Sequence, residues 1–422
     1  MLGTFFQQLY NTVDAVVVGN YVGKQALAAV GGSTGTTINL LINFVAGLAG
    51  GATVVIAQSY GAQDRKGIRD GVKSGMFLGI SLGVVLMIVG IALAPALLNL
   101  LNVPSDMFDL AVNYMRVYLL GMVPVMVYNV GAGVLRAVGD SRRPLYFLIV
   151  SCVVNIILDI LFVAYLKTGV VGAALATIIS QFASAFLVMY VLGNSDAPYY
   201  FTYKDFGFEK KVLSKIILIG LPMGIQSILY SISNLFIQAQ VNTYGTDTIA
   251  AYTAYGKIDA LYWMISDAFG KATVTMVGQC YGAKKYDRVK KTTWTSIILH
   301  AIFTLIISSI CCLAGNFLYN LFTDDKEVIR IGMEMLLFVA PTWICFTFIE
   351  ILSATIRACG ESLKPMIFTG IGVCLLRIIW IMFYPSTSVI DTLKCYPISW
   401  IVTSIIFVIY YLKGNWLKEK TI

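Results

Sequence analysis

Two aspartates, one asparagine and one threonine carry chemistry in stretches that are otherwise apolar. Asp14 lies seven residues before Tyr21, Asp159 seven before Leu166, and Thr177 seven after Val170. If Tyr21, Leu166 and Val170 mark the same membrane boundary, a rise of about 1.5 Å per residue puts all three side chains roughly 10 Å below it. Asn155 precedes Asp159 by four residues, so the two project from one helix face. A charge at membrane depth costs roughly 2.5–3.5 kcal/mol on insertion scales, and such residues concentrate at ion and substrate pathways. Carboxylate, amide and hydroxyl oxygens suit a hard cation such as Na⁺. Two desolvated carboxylates can equally share a proton, because burial and like charge both favour the neutral form. The bland alternative is that Asp14 and Asp159 only hydrogen-bond neighbouring helices.

The elements that must position these groups follow from composition. Of 422 residues, 58% are hydrophobic and 12% charged, with a mean hydropathy of +0.80, whereas soluble domains are about a quarter charged. Apolar runs such as Met76–Leu101, Leu145–Leu166 and Trp294–Phe317 reach the roughly 20 residues that cross a bilayer. They do not alternate as barrel strands do. The sequence predicts an all-α polytopic membrane protein with twelve transmembrane helices, near 1–21, 34–59, 72–99, 110–135, 144–166, 170–193, 213–243, 250–280, 292–321, 328–356, 364–384 and 395–412. The eight cysteines lie mostly in apolar runs without C-x-x-C spacing and read as packing residues. His300 is the only histidine, which excludes a two-histidine metal site and leaves no nucleophile constellation; no enzyme activity and no cofactor are expected.

The net charge of +8 is distributed by loop rather than gathered for nucleic acid. Loops after spans 2, 4, 6, 8 and 10, with the tail, hold 21 of the 30 Lys and Arg residues, while the opposite loops hold Lys24, Lys167, Lys326, Arg330 and Lys394. The positive-inside rule then puts both termini in the cytoplasm of a cell with this chain in its plasma membrane. Arg136-Ala-Val-Gly-Asp-Ser-Arg-Arg-Pro144 recurs as Arg357-Ala-Cys-Gly-Glu-Ser-Leu-Lys-Pro365, five of nine identical at an offset of 221. Gln58, Tyr60, Gly61 and Ala62 recur at the same offset as Gln279, Tyr281, Gly282 and Ala283. Two pseudo-symmetric six-helix lobes of like orientation follow: an N-terminal lobe over 1–193, a cytoplasmic linker over 194–212 and a C-terminal lobe over 213–422. Met1 aligns with Met223, about ten residues into span 7, so span 1 is expected to lack its cytoplasmic end.

Tyr10-Asn-Thr-Val-Asp-Ala-Val-Val-Val-Gly19, Ala26-Leu-Ala-Ala-Val-Gly31, Gln58-Ser-Tyr-Gly-Ala62 and the repeated Arg-x-x-Gly-Asp/Glu-x-x-x-Pro resemble the multidrug and toxic compound extrusion (MATE) family over essentially the whole chain. The resemblance implies a secondary antiporter, working as a monomer among membrane lipids, that exports organic cationic or amphiphilic compounds in exchange for Na⁺ or H⁺. It also implies a coupling site in the N-terminal lobe, carried here by Asp14, Asn155, Asp159 and Thr177. The C-terminal lobe lacks that set, since the repeat places Phe236 against Asp14 and Trp380 against Asp159. Glu350 is a candidate for a C-lobe cavity, either lining it with Arg377 or pairing with it; Asp267 and Lys271, at i and i+4, are expected to neutralise each other. A lipid-linked oligosaccharide flippase of the same superfamily is the alternative transporter, and a membrane-embedded enzyme the alternative of another class.

Orientation is testable directly. With the native cysteines replaced, a cysteine at Ser195 should resist an impermeant thiol reagent applied to intact cells; labelling there reverses the topology.

Overall fold

The structure, a computed structural model, describes residues 2–101, 103–194, 197–384 and 386–417. Ser195 and Asp196 of the inter-lobe linker lie outside the described residues. Twelve membrane helices account for nearly all of the described residues. The first six are α1 (Leu2–Tyr21), α2 (Ser33–Gly61), α3 (Arg65–Leu100), α4 in two segments (Ser105–Leu119 and Met122–Ala137), α5 (Arg142–Asp159) and α6 (Gly169–Gly193). The second six are α7 (Lys210–Val241), α8 (Thr246–Gly282), α9 (Tyr286–Leu313), α10 in two segments (Lys326–Val339 and Trp343–Ala358), α11 (Leu363–Thr369 and Leu376–Phe383) and α12 (Cys395–Lys413).

Among the described residues, nine of these elements are long and apolar enough to span a bilayer, and α4 joins them as a pair bent by 46°. The remaining two, α1 and α8, are long enough but carry polar residues through the span: Gln7, Gln8, Asn11 and Asp14 in one, Lys257, Asp259, Asp267 and Lys271 in the other.

Several features were not expected from apolar runs. A short helix, Lys24–Gly31, separates α1 from α2. The predicted span 10 breaks where Pro341 sits in a 3₁₀ turn, Ala340–Thr342, because proline cannot donate to the helical ladder. α5 continues as a π-helical stretch, Ile160–Tyr165, and α11 is joined through another, Gly370–Leu375. Such π turns are rare and are frequent at functional sites.

The chain forms two compact units, Met1–Gly224 and Ile225–Ile422, and the division falls within α7. In the first unit, α7 meets α2 backbone to backbone. A Cβ placed on Gly47 would stand 2.6 Å from the Gly224 nitrogen, and one on Gly220 would stand 2.5 Å from the Leu48 carbonyl oxygen. Only glycine allows that approach, and small residues four apart are how membrane helices achieve it without a hydrophobic driving force.

The segment leading into α7 is docked on α3. Phe77 packs between Phe206 and Phe208, with ring centroids 5.2 and 4.7 Å apart. Arg69 pairs with Asp205 at 2.9 Å, and the Glu209 amide donates to Ser74 Oγ at 3.0 Å. The Arg69 guanidinium, followed by the Thr202 amide, holds the Asp205 carboxyl below the usual carboxylate range. Aromatic pairs contribute about 0.5–1.5 kcal/mol each beyond area burial, whereas an exposed ion pair contributes at most about 1 kcal/mol. The rings therefore fasten this segment. Phe77→Ala should speed tryptic cleavage after Lys204 about tenfold in the detergent-solubilised protein, read by gel electrophoresis; an unchanged cleavage rate would show that the rings do not hold it.

Candidate functional site

The first unit assembles a polar cluster inside an apolar shell. α1 supplies Asp14, α5 supplies Asn155 and Asp159 one turn apart, and α6 supplies Thr177; α1 packs along α5, and α5 along α6. Val17, Val18, Val163, Val170, Ala173, Ala174 and Tyr118 are buried around them. Asp14 is 6% exposed, Thr177 2%, and Asn155 and Asp159 are fully buried. All four residues singled out from the sequence for this lobe are thus neighbours: Asp159, Thr177 and Asn155 are the side chains that act on the Asp14 carboxylate.

The hydrogen-bond inventory of the cluster is incomplete. Thr177 Oγ1 lies 3.3 Å from Asp14 Oδ2 and 3.0 Å from the Ala173 carbonyl oxygen. Asp14 Oδ1, both oxygens of Asp159, and both Oδ1 and Nδ2 of Asn155 are buried with no hydrogen-bond partner among the described residues. A buried polar atom without a partner costs about 1–3 kcal/mol, and more when charged. Five such atoms lie together in this cluster. Two carboxylates and an amide, with a hydroxyl at their edge, form an acceptor-rich set that a proton or a hard metal cation completes.

Two parts of this site have no signature in the sequence. The π-helical stretch begins immediately after Asp159, and a bulge of that kind leaves no residue pattern to read. Tyr118, on the first segment of α4, is buried in the same shell within electrostatic reach of Asp14, but an aromatic in an apolar helix looks like packing.

Glu350 belongs to the second unit. It is half-buried on α10 with its carboxylate against Gly270 of α8, and Arg357, Asp267 and Lys271 are the charges around it. Asp267 and Lys271 pair with each other at 2.6 Å, as their spacing suggests. Arg377 does not pair with Glu350: its Nε donates to Ser399 Oγ at 3.1 Å and its Nη1 to Asn234 Oδ1 at 3.4 Å. His300 is enclosed by hydroxyls, with Thr347 Oγ1 2.9 Å from Nδ1 and Ser266 Oγ 3.1 Å from Nε2, which accounts for it as a satisfied core residue.

Residues 1–161 and 222–382 each match the MatE family, two copies set 221 apart like the repeated motifs. The chain belongs to the MatE family. A probable multidrug resistance protein of Bacillus subtilis, YoeA, is 28% identical over 430 residues, covering 100% of this chain and 92% of the relative. The multidrug export protein MepA of Staphylococcus aureus is 24% identical over 90% of this chain and 84% of its own length. The crystal structure of a MATE protein in the straight conformation superposes with a TM-score of 0.91 at 26% identity, over 100% of this chain and 95% of that one. This MatE chain is therefore a multi-pass membrane protein of a multidrug efflux transporter family.

The orphaned atoms make a stability prediction. Asp159→Leu removes two of them and fills the space with an apolar side chain, relieving roughly 1–3 kcal/mol. In detergent at pH 8 without Na⁺ the variant should melt several degrees above the wild type by intrinsic fluorescence. A lower melting temperature would mean that Asp159 is a structural partner of its neighbours.

Proposed function

We propose that this protein is a secondary antiporter that exports organic cationic or amphiphilic compounds and is driven by Na⁺ or H⁺ returning through Asp14, Asn155, Asp159 and Thr177. The observation that carries this reading is the set of five partnerless polar atoms beside the Thr177 hydroxyl. Six side-chain oxygens are on offer there: two each from Asp14 and Asp159, one from Asn155 and one from Thr177. The two carboxylates repel when empty, and a bound cation removes that repulsion and repays their desolvation. A ligand shifts a conformational equilibrium only through different affinities for its states. Occupied and empty forms of the site therefore bias α1 against α5 and α6 differently, and the carrier alternates. The names of the relatives, multidrug resistance and export proteins, support an organic substrate. The carrier works as a monomer in the plasma membrane, surrounded by lipid, with both termini in the cytoplasm and lobes 1–193 and 213–422 joined by the linker 194–212.

The test uses proteoliposomes with Na⁺ and pH gradients imposed separately, which assigns the cation. Asp14→Asn and Asp159→Asn should each abolish gradient-driven dye efflux while leaving dye binding within about twofold. Glu350→Gln, in the other unit, should weaken transport less than Asp159→Asn does. Near wild-type pumping by both aspartate variants rejects this site, and the reverse order of Glu350→Gln and Asp159→Asn moves the coupling to the C-terminal lobe.

A further inference from the structure

The turn that opens α9 is densely basic. Residues 284–294 hold five basic side chains and one acid, Asp287, where the matching turn of the first unit, 63–73, holds four and two. The repeat sets Lys285 in the place of Asp64, whose carboxylate accepts from the Gly67 amide at 3.0 Å. Lys285, Arg288, Lys290 and Lys291 are all exposed, and none forms an ion pair with an acid among the described residues.

The helix surface that follows these charges is bare, unlike its counterpart on α3. On α3 the face of Arg69, Lys73 and Phe77 is covered by the segment entering α7: Asp205 pairs with Arg69, Gly207 lies against Lys73, and Phe206 and Phe208 flank the Phe77 ring. The same repeat positions on α9 are Lys290, Trp294 and Ile298, four apart and therefore on one helix face. All three are exposed, Trp294 by 49% and Ile298 by 56%, and the exposed Ile302 and Leu305 continue the apolar surface. Tryptophan favours the boundary between hydrocarbon and headgroups, and clustered Lys and Arg just beyond a membrane helix attract anionic headgroups. Lys290 stands about 6 Å beyond Trp294 along the axis, within reach of a lysine stem. Charge, ring and aliphatic stripe thus follow one another in the order of a phospholipid's phosphate, glycerol and acyl chain. A soluble polyanion or an acidic protein would use the charges and leave the stripe from Trp294 to Leu305 unmatched.

We propose that this end of α9 is a binding site for an anionic phospholipid, with Lys290 and Lys291 on the phosphodiester, Lys285 and Arg288 adding to the field, Trp294 at the glycerol and Ile298 and Ile302 along an acyl chain. Asp287, exposed on the same face one turn farther from the hydrocarbon, opposes binding. The proposal depends neither on the export reading nor on which side of the membrane the turn faces.

Brominated lipids test this on the full chain reconstituted in phosphatidylcholine bilayers. Bromine on the acyl chains quenches a nearby indole, and the difference between the wild type and Trp294→Phe isolates the Trp294 signal. Each Lys or Arg near an anionic surface contributes about fivefold in binding. Trp294 should therefore be half quenched at a mole fraction of dibrominated phosphatidylglycerol about tenfold lower than of dibrominated phosphatidylcholine. The double variant Lys290→Gln/Lys291→Gln should bring the two lipids within twofold of each other, and Asp287→Asn should widen the gap. Arg65→Gln/Lys66→Gln, which removes the same charge from the first unit, should leave the gap unchanged. Equal quenching by both lipids in the wild type overturns the site, as does a preference that survives in Lys290→Gln/Lys291→Gln. A preference lost equally in Arg65→Gln/Lys66→Gln also overturns it, since net charge rather than this turn would then select the lipid. If 10 mM glycerol phosphate in the buffer abolishes the preference, the turn binds soluble phosphate and the lipid assignment fails.

Discussion

The cost of keeping Asp14 and Asp159 together inside a low-dielectric shell is what the first unit is organised around. Neither carboxylate has enough internal partners: Thr177 is the hydroxyl at one oxygen of Asp14, and Asp159 has none. In a hydrocarbon setting no water is free to make up the difference. An arrangement of this kind persists only where the rest of the fold enforces it, and the valines and alanines around the cluster do so by packing rather than by polar contact. The unfavourable energy is therefore held in place by favourable burial, and any agent that neutralises the pair releases it.

Placed beside this, the second unit shows the opposite sign on the same plan. The repeat carries the same motifs at an offset of 221, yet the position of Asp159 is taken by Trp380, whose indole donates to the Asp391 carbonyl. Among the described residues of that unit, the buried charged side chain is the Arg377 guanidinium. Each of these two residues lies next to a π-helical stretch, Ile160–Tyr165 in one case and Gly370–Leu375 in the other. A duplicated framework has thus kept its helix order and loop chemistry while its interior charges diverged.

Much of the fold was legible because a bilayer imposes a length and a composition on every crossing. The twelve expected spans match helices whose ends differ by up to eight residues, from 34–59 against Ser33–Gly61 to 292–321 against Tyr286–Leu313. The interruptions were not legible. The break after Leu119 and the π turns keep the same apolar character on both sides, so hydropathy passes over them. The convergence of Asp14, Asn155, Asp159 and Thr177 could be read because charge at depth is rare and depth can be counted along a helix. The surroundings of Arg377 could not, because its partners Asn234, Ser399, Tyr396 and Trp400 come from two other helices and are ordinary membrane residues one by one.

The contact of Gly47 and Gly51 with Gly220 and Gly224 bears on how the chain is made. The compact unit built on α1–α6 ends at Gly224, so it takes in the first half of α7. During synthesis domains generally close in order from the N-terminus. Here the first half cannot finish closing when its sixth helix leaves the ribosome; it waits for the linker to fold back and for some fifteen further residues to be delivered (about 20 Å of helix at 1.5 Å per residue). The two halves of the carrier are consequently tied together by the timetable of translation: the residues that complete the earlier half are the opening residues of the later one.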